Sequence, residues 1–285
     1  MGNREDVNWY RGRLPKNGDE NPTPLVNVDF LPSKHNELHL GEIEEGQDRV
    51  FVRVMTFDKD NDNQEADINR TVIERARIGN ALFKELADDY HVRLPKMQFV
   101  VGKDKNNKSA VFVLANRVEG HNLSELIDET DIASLSAPDK KRLISELDDL
   151  IVSLGNYYYD IVKSVESGKE KEHLWDVDGF SQYIFGRQKG DSVSHIYLID
   201  LDPLFEKVDL WRGFTDAVIY IGVFLVRIPY CEERFGGRLL KSRQRFLEII
   251  SELKPLLLKE RPFITDSIRR QLLMKLDRWQ NLLSR

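Results

Sequence analysis

The order of its segments constrains this chain more than any other feature, because strand patterns come first and helix patterns follow. Between residues 25 and 115, short apolar alternations recur between turn-forming residues, which is typical of strands. A single helix, expected from Asp67 to Tyr90, follows the third of these strands. The five strands are expected at Leu25–Phe30, Glu37–Ile43, Arg49–Met55, Met97–Val101 and Ala110–Leu114. This part of the chain therefore predicts a small antiparallel sheet with one helix.

Helical patterns dominate the rest of the chain. A helix begins near Asn122, and a long one is expected from Pro138 to Ser167. Three more are expected at Trp211–Arg227, Gly237–Lys259 and Phe263–Leu283. Between the long helix and these three, two short strands are expected at Tyr183–Phe185 and Ile196–Ile199. The predicted class is α+β, with a polar N-terminal arm over 1–24, a small β-rich lobe over 25–115 and a helical large lobe over 116–285.

Composition narrows the classes of function. A net charge of −6 and a pI near 5.6 argue against a nucleic-acid partner, since such binding relies on neutralising phosphates. The single cysteine, Cys231, excludes a disulfide framework and is expected to be buried rather than nucleophilic. The longest apolar run, Ala217–Val226, is too short to span a bilayer. We therefore expect a cytoplasmic protein without a membrane partner.

Two carboxylates at the end of a strand are the clearest chemical signal. The segment His195–Pro203 reads as an apolar strand that presents Asp200 and Asp202 at its end. Carboxylate oxygens in this arrangement can hold a hard cation such as Mg²⁺. A plain turn is the alternative, because Asp and Pro are common turn formers.

This order of segments resembles the protein-kinase-like fold, and most closely its aminoglycoside and choline phosphotransferase branch. The stretch from Glu74 to Lys96 looks like the regulatory helix and the start of the fourth strand. Phe112–Leu126 is similar to the fifth strand, the interlobe hinge and the first helix of the large lobe. Leu198–Pro203 looks like the metal-binding Asp motif, with Asp202 where kinases carry Gly. The resemblance covers roughly residues 25 to 250 and implies a two-lobed fold.

The resemblance also implies ATP and Mg²⁺ as cofactors, because phosphoryl transfer depends on positioning and charge neutralisation. Asp200 would be the main metal ligand, with Gln182 or Asp202 as an auxiliary one. Gln182 stands where the family carries Asn. Its carbonyl oxygen can coordinate a cation, although the longer side chain demands a different loop geometry.

The acceptor hydroxyl would be positioned and deprotonated by a carboxylate of the catalytic loop. Asp176 and Asp178 flank the position that the family pattern requires. Asp176 gives the better register, and Ser181 would then occupy the Asn position. A simple turn at Asp178-Gly179 is the alternative.

The nucleotide contacts are implied in the same way. Arg53 would lie on the α and β phosphates, where the family has Lys, and Glu74 would hold it. Arginine keeps the charge but not the compact geometry of an ammonium, and an ion pair on the surface is an equally open interpretation. Asn116 and Val118 would offer backbone contacts to adenine.

Two functions follow from this resemblance. The first is a divergent ATP- and Mg²⁺-dependent phosphotransferase that acts on a hydroxyl of a small molecule or a protein. The second is a catalytically inactive pseudokinase that acts as a regulatory or protein-binding module. Its support is the arginine at position 53, the displaced catalytic loop and the segment Leu31–Asn36, which has no glycine to close over phosphates. A third possibility is an α+β structural protein of another fold.

Overall fold

The structure is a computed structural model that describes part of the chain, and everything below concerns that part. The described residues are 38–42, 49–56, 79, 81–95, 97–103, 109–116, 118–128, 132, 134–168, 174–175, 179–188, 190–199, 203–204, 210–259 and 265–284. The chain divides into two compact units. The first carries a four-stranded sheet, and the second is mostly helical and also includes residues 86–93.

An antiparallel sheet forms the first unit. Its strands are β1 (Leu38–Glu42), β2 (Arg49–Thr56), β3 (Met97–Lys103) and β4 (Ser109–Asn116), in the order β1-β2-β4-β3. The apolar run 110–115 of β4 agrees with its interior position in the sheet, where both faces of a strand can be covered. Four of the five predicted strands are thus confirmed, and the predicted strand Leu25–Phe30 lies outside the described residues.

The predicted helix from Asp67 to Tyr90 is described only near its end. Residues 81–84 are α-helical, and Glu85–Asp89 continue as a π-helical turn. Leu86 of this turn is fully buried in the second unit.

Among its described residues, the second unit contains five α-helices and five short strands, although Glu119, at the start of the first of these strands, belongs to the first unit. The helices are α1 (Leu123–Asp128), α2 (Ala137–Glu166), α3 (Leu210–Phe235), α4 (Leu240–Leu258) and α5 (Asp266–Leu283). The strands are β5 (Glu119–Asn122), β6 (Leu174–Trp175), β7 (Tyr183–Arg187), β8 (His195–Leu198) and β9 (Pro203–Leu204). They form a three-stranded sheet in the order β5-β7-β8 and a separate β6–β9 pair. Strand β5 was not predicted.

Helix α2 begins where local capping signals place it. The Ser136 hydroxyl accepts a hydrogen bond from the Asp139 backbone N–H at 3.2 Å, and Pro138 occupies the first turn. A side-chain oxygen in this position satisfies a donor that the helix leaves unpaired. The helix ends at Glu166, and Gly168 follows with a φ of +76°. The predicted long helix is confirmed.

Helix α3 is longer than predicted. The prediction ended it at Arg227, two residues before a proline, but the helix continues through Pro229 to Phe235. Ile228 and Cys231 are fully buried on this last part. Burial of these side chains outweighs the local preference of proline to end a helix.

By length and composition, the Gly213–Phe235 part of α3 could also cross a membrane. Its mean hydropathy reaches 1.5, and half of the apolar window is buried inside the protein. The core helices of soluble proteins meet the same criterion, so this helix is weak evidence for a membrane span. The expected cytoplasmic location stays a prediction.

The core of the second unit forms where α2, α3 and α4 meet. Gly155 of α2 faces the Phe246 ring so closely that a Cβ atom on it would lie 2.7 Å from the ring. The missing side chain therefore lets the two helices approach. Phe246 lies 6.4 Å from Phe224 of α3, between ring centroids, and both rings are fully buried.

A carboxylate of α2 caps the start of α4. Asp148 accepts hydrogen bonds from the backbone N–H groups of Lys241 at 3.1 Å and Ser242 at 2.8 Å, and from the Ser242 hydroxyl at 2.6 Å. Leu239, which precedes α4, supplies no side-chain cap of its own. Asp148 thus satisfies orphan donors of a helix that lies more than 90 residues away in the chain.

Removing this cap should destabilise the second unit. We expect Asp148→Ala to lower the free energy of unfolding by about 2 kcal/mol, because a cap and its charge-assisted hydrogen bonds are lost together. Urea denaturation followed by circular dichroism measures the change. The control is Asp149→Ala, which removes an exposed ion pair with Lys241 and should change stability little. Equal losses in the two variants would contradict the capping role.

An ion pair holds the region between α3 and α4. Glu232 binds the Arg243 guanidinium through Nε and Nη2, and it accepts a hydrogen bond from the Leu239 backbone N–H at 2.9 Å. Burial acts to raise the pKa of Glu232, but these hydrogen bonds and nearby positive charges outweigh it and leave the pKa below its usual 4.5. Arg243 also donates to the Leu283 carbonyl at the end of α5.

Because the pKa of Glu232 is lower in the folded state, its contribution to stability is complete above about pH 4.5. It is lost as the pH falls through the lowered value. We expect Glu232→Gln to be less stable than the wild type at neutral pH, and this difference should shrink below pH 4.5. Urea midpoints measured at a series of pH values test this. Two curves that stay parallel down to pH 3 would contradict it.

Candidate functional site

The candidate site is the loop that precedes β7, together with the end of β8. Residues Phe180–Gln182 form one turn of 3₁₀-helix, and β7 then pairs antiparallel with β8, with Tyr183 opposite Leu198. The pairing continues by one more contact, since the Ile199 backbone N–H donates to the Gln182 carbonyl at 2.8 Å. The backbone therefore brings Gln182 to the strand end that leads into Asp200.

Asn122 holds this loop against the start of α1. Its side-chain amide nitrogen donates to the Ser181 backbone carbonyl at 2.8 Å. Its side-chain oxygen accepts from the backbone N–H and the hydroxyl of Ser124, at 2.9 and 2.7 Å. One side chain thus caps a helix and fixes the loop. Sequence reasoning missed this role, although the capping pattern from Asn122 to Glu125 was readable.

Phe180 anchors the same loop to α3. Its ring is buried and lies 6.4 Å from the ring of Phe224, measured between centroids. The guanidinium of Arg227 lies over the Phe180 ring, 4.6 Å from the ring centroid. An arginine over an aromatic face adds electrostatic attraction to the apolar contact. The loop is therefore held on two sides, by Asn122 and by α3.

Gly120 allows β5 to lie close to β7. A Cβ atom at this position would be 2.2 Å from the Phe185 carbonyl oxygen and 2.5 Å from the Gly186 Cα. Both atoms belong to the backbone and cannot rotate away. Only glycine fits here, and β5 in turn positions Asn122 at its end.

Two of the predicted site residues have described side chains in the first unit. Asn116 is half-buried at the end of β4, where its backbone lies opposite Val50. Val118 is 4% exposed. Arg53 belongs to β2, and its backbone lies between Leu38 of β1 and Val113 of β4.

The side-chain oxygen Oε1 of Gln182 is shielded from solvent in the second unit. The other predicted site residues, Glu74, Asp176, Asp178, Asp200 and Asp202, lie outside the described residues. Their predicted roles stay predictions.

Within the described part of the chain, no group of three or more His, Cys, Asp or Glu side chains could hold a metal ion. The predicted carboxylate ligands are not in that part. Cys231 is fully buried, as expected, and burial raises the pKa of its thiol to about 12. The thiol therefore stays protonated at neutral pH and is not an activated nucleophile.

No model of a known protein family matches this sequence, and no curated protein matches it significantly. What the fold establishes is an α+β protein with a small antiparallel sheet and a mostly helical part. The kinase-like resemblance is compatible with that class and rests on the order of the sequence motifs.

The close approach of β5 and β7 predicts the effect of adding a single methyl group. We expect Gly120→Ala to cost about 2 kcal/mol or more, because the new Cβ would overlap backbone atoms. Thermal unfolding followed by circular dichroism measures this loss.

Gly179→Ala is the matched control for this substitution. A Cβ at Gly179 would make only ordinary contacts of 3.4 Å, and its φ of −81° suits any residue. We expect this variant to be as stable as the wild type or slightly more stable, since alanine restricts the unfolded chain. A well-tolerated Gly120→Ala would mean that β5 does not need this close approach.

Proposed function

We propose that this chain is a divergent kinase-like phosphotransferase that uses ATP and Mg²⁺ to phosphorylate a hydroxyl group of a small molecule or a protein. The proposal is carried by the hydrogen bond between the Ile199 N–H and the Gln182 carbonyl at 2.8 Å. This bond joins two neighbouring segments, 17 residues apart in the chain, that were each expected to supply a metal ligand. The register of β7 with β8 and the resemblance to the kinase-like fold thus support the same site.

The chemistry of the donor set suits Mg²⁺, which prefers hard oxygen ligands. Asp200 would be the main ligand, and Gln182 or Asp202 the auxiliary one. The Oε1 atom of Gln182 is already shielded from water, so its coordination of a cation would need no further desolvation of that oxygen. Bound Mg²⁺ would neutralise charge on the transferred phosphoryl group.

The remaining roles belong to residues that act on the nucleotide and the acceptor. Asp176, or less favourably Asp178, would orient the acceptor hydroxyl and take its proton. Arg53 would neutralise the α and β phosphates, and Glu74 would hold its guanidinium in place.

The adenine base would be bound by the chain between β4 and β5. Asn116 and Val118 would offer backbone groups there. Val118 is buried, which limits this contribution to its main chain.

A second candidate function is a pseudokinase that binds a partner without catalysis. Three departures in the sequence favour it: the arginine at position 53, the glycine-free segment Leu31–Asn36 and the shifted Asp176–Asp178 loop. Backbone N–H groups that cradle phosphates usually depend on glycines, so the loss of these glycines weakens the case for ordinary ATP binding.

A thermal-shift titration with ATP, with and without Mg²⁺, tests the first function. A ligand at 100 times its Kd stabilises the native state by about 2.7 kcal/mol, which gives a measurable rise in Tm. We expect a Mg²⁺-dependent rise for the wild type and none for Asp200→Asn. The variant should keep its own Tm or gain slightly, because repulsion with Asp202 is relieved.

Asp277→Asn is the matched control, since it removes an exposed carboxylate of α5 that pairs with Lys254. It should respond to ATP and Mg²⁺ as the wild type does. The absence of any shift with nucleotide in the wild type would favour the pseudokinase. Loss of folding in Asp200→Asn would show that this carboxylate is structural, and the site proposal would then be wrong.

A further inference from the structure

A groove runs along helix α2 in the second unit. Its volume is about 770 Å³, and one face of α2 forms its floor. The floor residues follow one another at helical spacing: Glu146, Asp149, Ser153, Asn156, Asp160 and Lys163. Among the described residues proposed for nucleotide or metal, neither Gln182 nor Asn116 nor Val118 lines the groove.

The dimensions of the groove suit an extended chain. From Glu146 to Lys163 the helix rises about 25 Å, at about 1.5 Å per residue. A strand-like peptide of about seven or eight residues matches the length.

The segment Asp89–Arg93 forms one wall of the groove. Hydrogen bonds on both sides hold this segment in place. The Val92 backbone N–H donates to the Leu86 carbonyl at 2.9 Å, and the Arg93 carbonyl accepts from the Leu198 N–H at 3.0 Å. The Tyr90 hydroxyl donates to Asp160 on the floor at 3.2 Å. This wall is therefore preformed rather than assembled on binding.

The other wall carries Arg245 of α4. Its Nε donates to the Asn156 side-chain oxygen at 2.6 Å, and its Nη1 lies 3.0 Å from Glu248. The carboxamide NH₂ group of Asn156 is not engaged in this bond. Because Arg245 already pairs with a carboxylate, it contributes little uncompensated charge to the groove.

Most other charged groups of the lining also have a partner within the protein. Each of three carboxylates lies within 2.7 Å of a cationic or imidazole nitrogen, and the pairs are Glu146–His195, Asp149–Lys241 and Asp160–Lys163. Asp89 is exposed at the end of the wall segment.

Arg93 differs from these paired groups. Among the residues that the structure describes, its guanidinium makes one charge interaction, a cation–π contact with the Tyr197 ring at 5.8 Å from the centroid. Its N–H donors therefore have no carboxylate partner in the described part of the chain. The backbone beside it is also unusual, since His91 has a φ of +55° and an exposed side chain. Strained residues of this kind cluster at functional sites.

We infer that this groove binds an extended, acidic segment of a partner polypeptide. An Asp or Glu side chain of the segment pairs with the guanidinium of Arg93, which can bind a carboxylate through two parallel hydrogen bonds. The hydroxyl of Ser153 and the free amide donors of Asn156 meet backbone groups of the segment. An extended chain presents an N–H and a C=O at every residue, so a polar floor suits it better than an apolar one.

Selection from a displayed library of random octapeptides, with the full-length chain as bait, tests this inference. We expect the selected peptides to be enriched in Asp and Glu. The strongest of them is then synthesised with a fluorescent label and titrated by anisotropy. Arg93→Ala should weaken its binding at least tenfold. Arg270→Ala is the matched control, because it removes an exposed arginine of α5 that does not line the groove.

A charge exchange separates a direct contact from a change in folding. Arg93→Glu should abolish binding of the selected peptide, and a peptide with its key acidic residue replaced by Lys should regain at least part of the affinity with this variant. Circular dichroism should show both Arg93 variants folded. Selection without acidic enrichment, or peptide affinity unchanged in Arg93→Ala, would overturn the inference. Both readouts are independent of ATP, so failure of the phosphotransferase proposal leaves this test intact.

Discussion

The buried contact between Asp148 and the start of α4 is the interaction on which the second unit depends most. It places α4 against α2 with a defined register, because two backbone N–H groups and one hydroxyl converge on one carboxylate. The same register brings Gly155 against Phe246 in the core. It also places Arg245 beside Asn156, one wall of the groove. Capping, packing and groove geometry thus share a single origin.

The candidate site uses backbone contacts more than side-chain contacts. The pairing of β7 with β8 ends in the hydrogen bond between Gln182 and Ile199, and Asn122 ties the loop to α1. Gly120 makes this arrangement possible, because it lets β5 lie against β7. A site built in this way can keep its shape when individual ligands diverge. This property is compatible with an active phosphotransferase and with a module that only binds.

Arg93 differs from the other charged side chains of the second unit discussed above. The groove carboxylates of α2 and Glu232 each pair with a nitrogen of the protein, so these groups leave little unpaired charge for a ligand. Arg93 departs from this pattern, since its contact is with an aromatic face and not with a carboxylate. The Arg93 guanidinium lies on a preformed wall. It can form a bidentate pair with a carboxylate of a ligand without first breaking an ion pair within the protein. The groove is therefore suited to recognising an anionic side chain.

The sequence by itself determined the α+β class, four strands of the first sheet and the long helices, because local signals control them: apolar spacing, and caps such as Ser136 with Asp139. It also predicted the strands that became β7 and β8. Only the tertiary structure decided the sheet order, the extension of α3 through Pro229, and the roles of Asp148, Asn122 and Gly120. Adjacent in the chain, Asp148 and Asp149 look alike, yet one is buried as a cap and the other is exposed. That difference depends on which distant backbone packs against each residue, and no pattern of neighbouring residues contains this information.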